Sequence, residues 1–259
     1  MKYLVKDIPQ DHAYLLPIGD IHFGDTAFKD EGMRKLKGYL DWVKSRPNAF
    51  VFLMGDVFNV SGRQTKTTPF ETDVGEYEKA VEFFKPYADK ILGAIDGNHE
   101  YRMYDEFGIS PLQLFCRELK IPYCKYSAVI RLKVGKRTEK GAGNRYCQNY
   151  FIYAHHTTGS GSTVGGKLNR VVKLESIVEG CDVYLGAHNH QLAIAPQDIY
   201  YVSMQGGIMK RRKWYVDCGS YLEWEGSYAE KGMLPPAKLG SPRIRFNGKK
   251  DKKDVHVSL

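Results

Sequence analysis

Nowhere in this chain of 259 residues does an apolar run approach the roughly 20 residues that a bilayer-spanning helix requires. The longest hydrophobic stretches are strand-sized and broken by charge, so no transmembrane helix is expected. The opening Met1-Lys2-Tyr3-Leu4-Val5-Lys6-Asp7 returns to charge before a signal-peptide core of about 7 to 15 apolar residues can form, which argues against export by a standard signal. Cysteine is sparse: Cys116, Cys124, Cys147, Cys181 and Cys218 are five in number, scattered, and never spaced as C-x-x-C. Neither a disulfide scaffold, a zinc ribbon nor a dithiol redox site is indicated, and a reducing cytoplasm is the expected location. Linkers, repeats and low-complexity segments are also missing, so a single domain over residues 1–259 is expected.

What is present is an ordinary globular composition, 42% hydrophobic, enough for a sizeable core. The formal charge of +8 favours approach to polyanions, although a basic, solvated surface explains the same number. Tyr14 to Ile18, Phe50 to Met54, Ile91 to Ile95, Tyr150 to Ala154 and Val183 to Leu185 read as buried strands. Helical periods lie between them: Leu36, Leu40 and Val43 before Pro47; Tyr77, Ala80, Val81 and Phe84 after a cap at Asp73; and a third from Gly166 to Val178. Such alternation predicts βαβ units around a largely parallel sheet. From about residue 191 the pattern becomes mainly β, with runs at Tyr200 to Met204, Trp214 to Cys218, Arg243 to Phe246 and Val255 to Val257, expected to complete a second sheet. The lysine-rich stretch from Gly248 to Lys253 reads as an exposed turn.

Five short segments follow the five strands in order: Gly19-Asp20-Ile21-His22, Gly55-Asp56-Val57-Phe58-Asn59, Gly97-Asn98-His99-Glu100, Tyr153-Ala154-His155-His156 and Gly186-Ala187-His188-Asn189-His190. Six of the eight histidines fall within them. Mixed imidazole and carboxylate donors suit manganese, iron and zinc. Each segment sits at the carboxyl end of a strand, where an open α/β sheet presents its ligand crevice, so the segments converge in space.

With D-x-H, G-D-x-x-[DN], G-N-H-[DE], a histidine after a strand and a near match to G-H-x-H in one order, the chain resembles the calcineurin-like metallophosphoesterases from Asp20 to His190, about two thirds of its length. The resemblance implies an α/β fold, a two-sheet αββα sandwich in a single domain, and two divalent metal ions, manganese foremost, with iron or zinc acceptable. It implies that Asp20, His22, Asp56 and His190 hold one metal, that Asp56, Asn98, His155 and His188 hold the other, and that Asp56 bridges. A metal-bridging hydroxide would then attack phosphorus in line, while His99 contacts the phosphate and protonates the leaving oxygen. Glycine usually follows the fourth-motif histidine, whereas here His156 follows His155; His155, closer to the strand end, is the expected ligand, with His156 beside it. Asn59 is expected to orient a ligand or touch substrate. Ala187 replaces a usual glycine, tolerable unless that residue needs a positive φ.

Gly161 to Lys167 match most of G-x-x-x-x-G-K-[ST], but Leu168 removes the magnesium-binding hydroxyl, leaving at most a loop that holds a substrate phosphate. Val60-Ser61, with Arg63 beyond, stand where the family's Ser/Thr protein phosphatases carry arginine and glycine. The reading is therefore a phosphodiesterase, plausibly a DNA or RNA nuclease, with a phosphomonoesterase on small molecules or phosphoproteins as the alternative and a non-catalytic scaffold as the remote one. The basic segments Lys133 to Lys140 and Lys210 to Tyr215 are candidates for tracking a nucleic-acid backbone, with Trp214 and Tyr215 as stacking rings. The segment from Ser61 to Thr72 is a candidate determinant of selectivity.

Overall fold

Alternation along the strands sets the architecture of the computed structural model, which describes residues 1–60, 73–136, 147–159, 161, 163–249 and 253–259. One sheet has six strands in the order β1 (Lys2–Ile8), β5 (Ser127–Val134), β6 (Gln148–His155), β7 (Val183–Gly186), β9 (Gly207–Cys218) and β8 (Leu192–Ser203). The other has five, in the order β11 (Val255–Ser258), β10 (Arg243–Asn247), β2 (His12–Ile18), β3 (Ala49–Leu53) and β4 (Ile91–Ala94). Because successive side chains point to opposite faces of a strand, each sheet has two apolar faces to cover. The inner faces cover one another: Leu15, Phe50, Phe52, Ile244 and Phe246 of one sheet pack with Ile130, Tyr150, Ile152, Val183 and Val216 of the other.

Helices cover the outer faces. α1 (Asp30–Lys44), α2 (Asp73–Phe84) and α4 (Pro111–Glu118) lay Leu36, Leu40, Ala80, Phe84 and Phe115 against Leu16, Ile18, Val51 and Leu53. On the far side α5 (Val164–Val172) places Val171 over Tyr153, Tyr184 and Tyr215. The result is the expected four-layer αββα sandwich. Among the described residues no helix is long and apolar enough to cross a membrane.

Two expectations are corrected. The strands after residue 191 complete both sheets rather than one: β8 and β9 finish the six-stranded sheet, while β10 and β11 extend the five-stranded one. Both sheets are mixed rather than largely parallel, since β2–β3–β4 and β6–β7–β9 run parallel but β5–β6, β8–β9 and β10–β2 run antiparallel. β1 carries no apolar run because it is an edge strand in which only Ile8 is fully buried.

The parallel strands β2, β3, β4, β6 and β7 all deliver their carboxyl ends to one rim, where the chain turns sharply. Gly55 adopts φ +89°, and a Cβ there would lie 2.4 Å from the Gly97 nitrogen. Only glycine fits both the torsion and the gap. Gly55→Ala is therefore expected to lower unfolding stability by about 3 kcal/mol through backbone strain and overpacking, measurable as a shift in the denaturant midpoint without a change in slope.

Candidate metal centre

The loops after β2 and β3 continue pairing beyond the sheet. Asp20 N–H donates to Gly55 O at 3.1 Å, Ile21 and His22 N–H both donate to Asp56 O at 2.9 and 3.0 Å, and Phe23 N–H donates to Val57 O at 2.8 Å. Within these turns Asp20, His22 and Asp56 have φ of 50°, 54° and 49°, and after β7 His188 and His190 have 77° and 51°. Left-handed torsions are uncommon outside glycine, and their concentration at one rim marks a functional site held by its surroundings.

Glu100 supplies much of that hold. It lies in the first turn of α3 (Asn98–Phe107) and is fully buried. Its Oε2 accepts from the N–H groups of Asp56 at 2.9 Å and Gly97 at 2.8 Å, and its Oε1 from Val57 at 2.8 Å and Phe58 at 3.0 Å. Burial, then the Asp56 and Asp96 carboxylates, push Glu100 upward, while the N–H donors, those of Phe58 and Gly97 among them, pull the other way and favour its ionised form. The same helix start directs His99 N–H to Asp56 Oδ1 at 2.9 Å.

Two groups of ligand atoms converge around Asp56. In the first, His190 Nε2 lies 3.3 Å from both Asp20 Oδ1 and His22 Nε2. In the second, His156 Nε2 lies 3.2 Å from Asp56 Oδ2 and from Asn98 Oδ1, and Asn98 Oδ1 lies 2.6 Å from His188 Nδ1. Asp56 Oδ2 is also 3.9 Å from His22 Nε2, which places this carboxylate between the groups. His99 stands against His22, with ring centroids 4.5 Å apart.

These donors fit divalent cations. The buried Asp20 Oδ1 and His22 Nδ1 have no hydrogen-bond partner, a costly condition unless something else satisfies the oxygen. Burial first, and His99 second, hold the His22 ring well below the ordinary histidine range, so it is neutral, the form that ligates metal. Burial likewise lowers His188. His156 differs: burial lowers it, but Asp56 outweighs that and raises it to about 10, so metal uptake between them would release a proton. Asn98 presents its oxygen to the two rings; turned over, its nitrogen would instead reach His156, His188 and Asp56 Oδ2, with its oxygen 3.2 Å from Arg102 Nη2. Oxygen inward is the orientation that serves a cation.

The structure brings Asp20, His22, Asp56, Asn98, His188 and His190 together, but it places His156, not His155, in the second group. Parity explains this. Along β6, Tyr150, Ile152 and Ala154 face the inter-sheet core while Tyr153 faces α5, so His155 shares the outward face and His156 continues the inward one. His155 Nδ1 accepts from Thr157 N–H at 2.8 Å. His156 Nδ1 lies 2.7 Å from Met54 O and donates to it, fixing the tautomer that turns Nε2 inward. Thr157, directly after His156, has φ 63° and occupies the place where glycine is usual. Ala187 is not among the positive-φ residues, so its methyl group is tolerated.

His99 Nδ1 lies 2.5 Å from the Asn59 carbonyl oxygen, so Asn59 orients His99 through its backbone. Glu100 as a backbone clamp was not foreseen; its signal is a carboxylate one residue beyond G-N-H, beside a turn rich in orphan N–H groups. The proposed stacking rings are corrected: Trp214 and Tyr215 are 9% and 2% exposed and belong to core clusters, since β9 is an interior strand there. Arg212 and Lys210 pair with Asp198 at 2.7 and 2.8 Å, and Lys213 pairs with Glu175. Of the other basic segment, Lys133 pairs with Asp7 at 3.1 Å, and 137–140 lie outside the described residues, as do Ser61 to Thr72, Arg63, Ser162 and 250–252.

A family model for calcineurin-like phosphoesterases matches residues 15–192. The chain belongs to that family. No curated protein matches it. Among solved structures it is similar to the NAD nucleotidase of Haemophilus influenzae (NadN), with 10% identity, a TM-score of 0.44, and coverage of 96% of this chain and 49% of that one. The chain thus spans about half the length of that protein.

Two outcomes follow from this geometry. His156→Ala is expected to lose one of two manganese equivalents in elemental analysis of the loaded protein, whereas His155→Ala retains both. Glu100→Gln, which sets an amide N–H₂ against backbone N–H donors, is expected to cost about 3 kcal/mol of stability or more, read by thermal unfolding.

Proposed function

We propose that the chain is a phosphodiesterase using two divalent cations, one held by Asp20, His22, Asp56 and His190 and the other by Asp56, Asn98, His156 and His188. The observation that carries this reading is the convergence of two ligand groups on the single Asp56 carboxylate. When bound, such a pair lowers the pKa of a shared water and clamps phosphoryl oxygens. The chain's own residues do the rest. Asp56 turns Oδ2 toward both groups, 3.9 Å from His22 Nε2 and 3.2 Å from His156 Nε2, while its Oδ1 accepts the His99 backbone N–H. With Nδ1–H committed to the Asn59 carbonyl, the His99 imidazolium presents Nε2–H to a phosphate oxygen and passes that proton to the departing alkoxide, leaving the neutral ring.

Support for a diester comes from beside the cluster, where a cavity bordered by His188 and His190 leaves room for a second ester substituent that a monoester lacks. Val60, at the position where the protein phosphatases place arginine, supplies no cation for a phosphoprotein dianion. A nucleic-acid substrate remains part of the proposal through the net charge of +8.

With manganese present, bis(p-nitrophenyl) phosphate is expected to be cleaved with higher kcat/KM than p-nitrophenyl phosphate; the reverse preference overturns the diesterase reading. Cleavage of linear single- and double-stranded DNA then tests the nuclease branch. Asp56→Ala is expected to reduce turnover at least about a thousandfold, and His99→Ala about 10²- to 10⁴-fold with both metals retained. Metal loss in the His99 variant would reassign that ring as a ligand.

A further inference from the structure

The cavity beside the metal centre holds about 230 Å³, below the range of about 300–1,000 Å³ typical of sites for drug-sized ligands. It suits one ring system and excludes a folded peptide segment. His188 and His190 form its inner border, Lys167 and Lys238 bring cations, and Trp224 and Leu234 bring apolar surface. Lys167 comes from the glycine-rich loop and first turns of α5, where Thr163 Oγ1 caps the helix by accepting the Gly166 N–H at 3.1 Å. The sequence leaves this loop at most a phosphate holder, and the structure puts Lys167 in the lining of the same cavity as His188 and His190.

Trp224 is half-buried, and its indole N–H donates to Leu234 O at 2.7 Å, tying the two sides of the pocket together. The segment that carries it is anchored to the metal loop itself: Tyr221 N–H and Ser220 Oγ both donate to Asp20 O, at 3.2 and 3.1 Å. Glu223 Oε1 accepts from Glu31 N–H at 2.9 Å, and Glu223 N–H donates to Ala27 O at 2.8 Å. The pocket is thereby preformed at a fixed distance from the ligands, so an occupant adds affinity without an ordering cost.

We infer that this pocket receives the nucleobase of a nucleoside-bearing phosphodiester, packed on Trp224, with Lys167 and Lys238 neutralising the substrate's phosphate charge. An aromatic ring flanked by cations is the combination that binds single nucleotides without reading their sequence. The inference rests on the phosphodiesterase reading for its chemistry, and on the cavity alone for binding.

The test compares thymidine 5′-(p-nitrophenyl phosphate) with methyl p-nitrophenyl phosphate, two diesters sharing a leaving group. The manganese-loaded enzyme is expected to favour the nucleoside ester. In Trp224→Ala the ratio of the two kcat/KM values falls at least about tenfold, chiefly through KM, while Trp224→Phe keeps most of it and Lys238→Gln lowers both values alike, leaving the ratio unchanged. An unchanged ratio in Trp224→Ala overturns the assignment. A binding measurement stands apart from catalysis: with chelator present, AMP quenches the fluorescence of the full chain, which has three tryptophans, and Trp224→Phe abolishes the quench, whereas ribose 5-phosphate gives none. Equal quenching by both ligands, or none by AMP, overturns the pocket's role. Hydrolysis of p-nitrophenyl phosphate but of neither diester would instead defeat the diesterase reading, leaving the AMP titration to decide the pocket.

Discussion

The Glu100 carboxylate, closed on four backbone N–H groups, is the constraint on which the rest of the centre depends. A left-handed residue at Asp56 turns successive N–H groups of residues 56 to 58 inward, and such a concave set of donors favours an anion. Water cannot supply it at a fully buried position, so the anion has to be a side chain. Glu100 is well placed because it occupies the first turn of α3, where the positive end of the helix also favours negative charge. The clamp makes one unit of the end of β3 and the start of α3, so that Asp56, Asn98 and His99 move together or not at all.

This solution concentrates negative charge in a chain whose overall charge is positive. Asp20, Asp25, Asp56, Asp96, Glu100 and Asp217 are all buried around the rim. Burial raises Asp25, Asp96 and Asp217, the last well above the usual carboxylate range with Asp20 as a second cause. Asp56 goes the other way: burial alone would raise it, but His156, His99 and His22 hold it well below that range. Buried anions of this kind are stable only when paired. His156 supplies such charge to Asp56, but a histidine gives up its proton when it ligates metal, so dications are the partners that serve both groups, and metal binding is coupled to the stability of the rim.

Much of this is legible in the sequence because the chemistry is carried by short contiguous motifs, each behind an apolar run. Asp20, His22, Asp56, Asn98, His188 and His190 follow strands whose composition marks them as buried, and parallel pairing aligns their ends. The choice between His155 and His156 required counting strand parity from Tyr150 and Ile152, a signal that was present but weaker than nearness to the strand end. The role of Glu100 is only partly legible, because three of its four N–H partners lie 42 to 44 residues away and only its place after G-N-H hints at them. β1 and β5 were missed for opposite reasons: one is an exposed edge, while the other alternates with charged Arg131 and Lys133. The Trp214-Tyr215 pair looks like a binding platform in a basic run, yet the run crosses from an exposed hairpin into the core between Arg212 and Trp214.

That crossing bears on where selectivity can reside. The outer part of the β8–β9 hairpin keeps its cations, but Asp198 accepts from both Lys210 and Arg212, so part of the charge is spent within the hairpin and none of its aromatic core is free for a base. Trp224 has the opposite situation. Its loop follows directly from the end of β9 and folds back to hydrogen-bond the Asp20 carbonyl, which means that the residue supplying a carboxylate to the first ligand group also fixes the wall of the adjoining pocket. Displacement of that loop would therefore disturb both binding and ligation, whereas a change confined to the indole ring would alter the pocket alone. Selectivity placed on such a side chain can vary without rebuilding the left-handed turns and the Glu100 clamp beneath it.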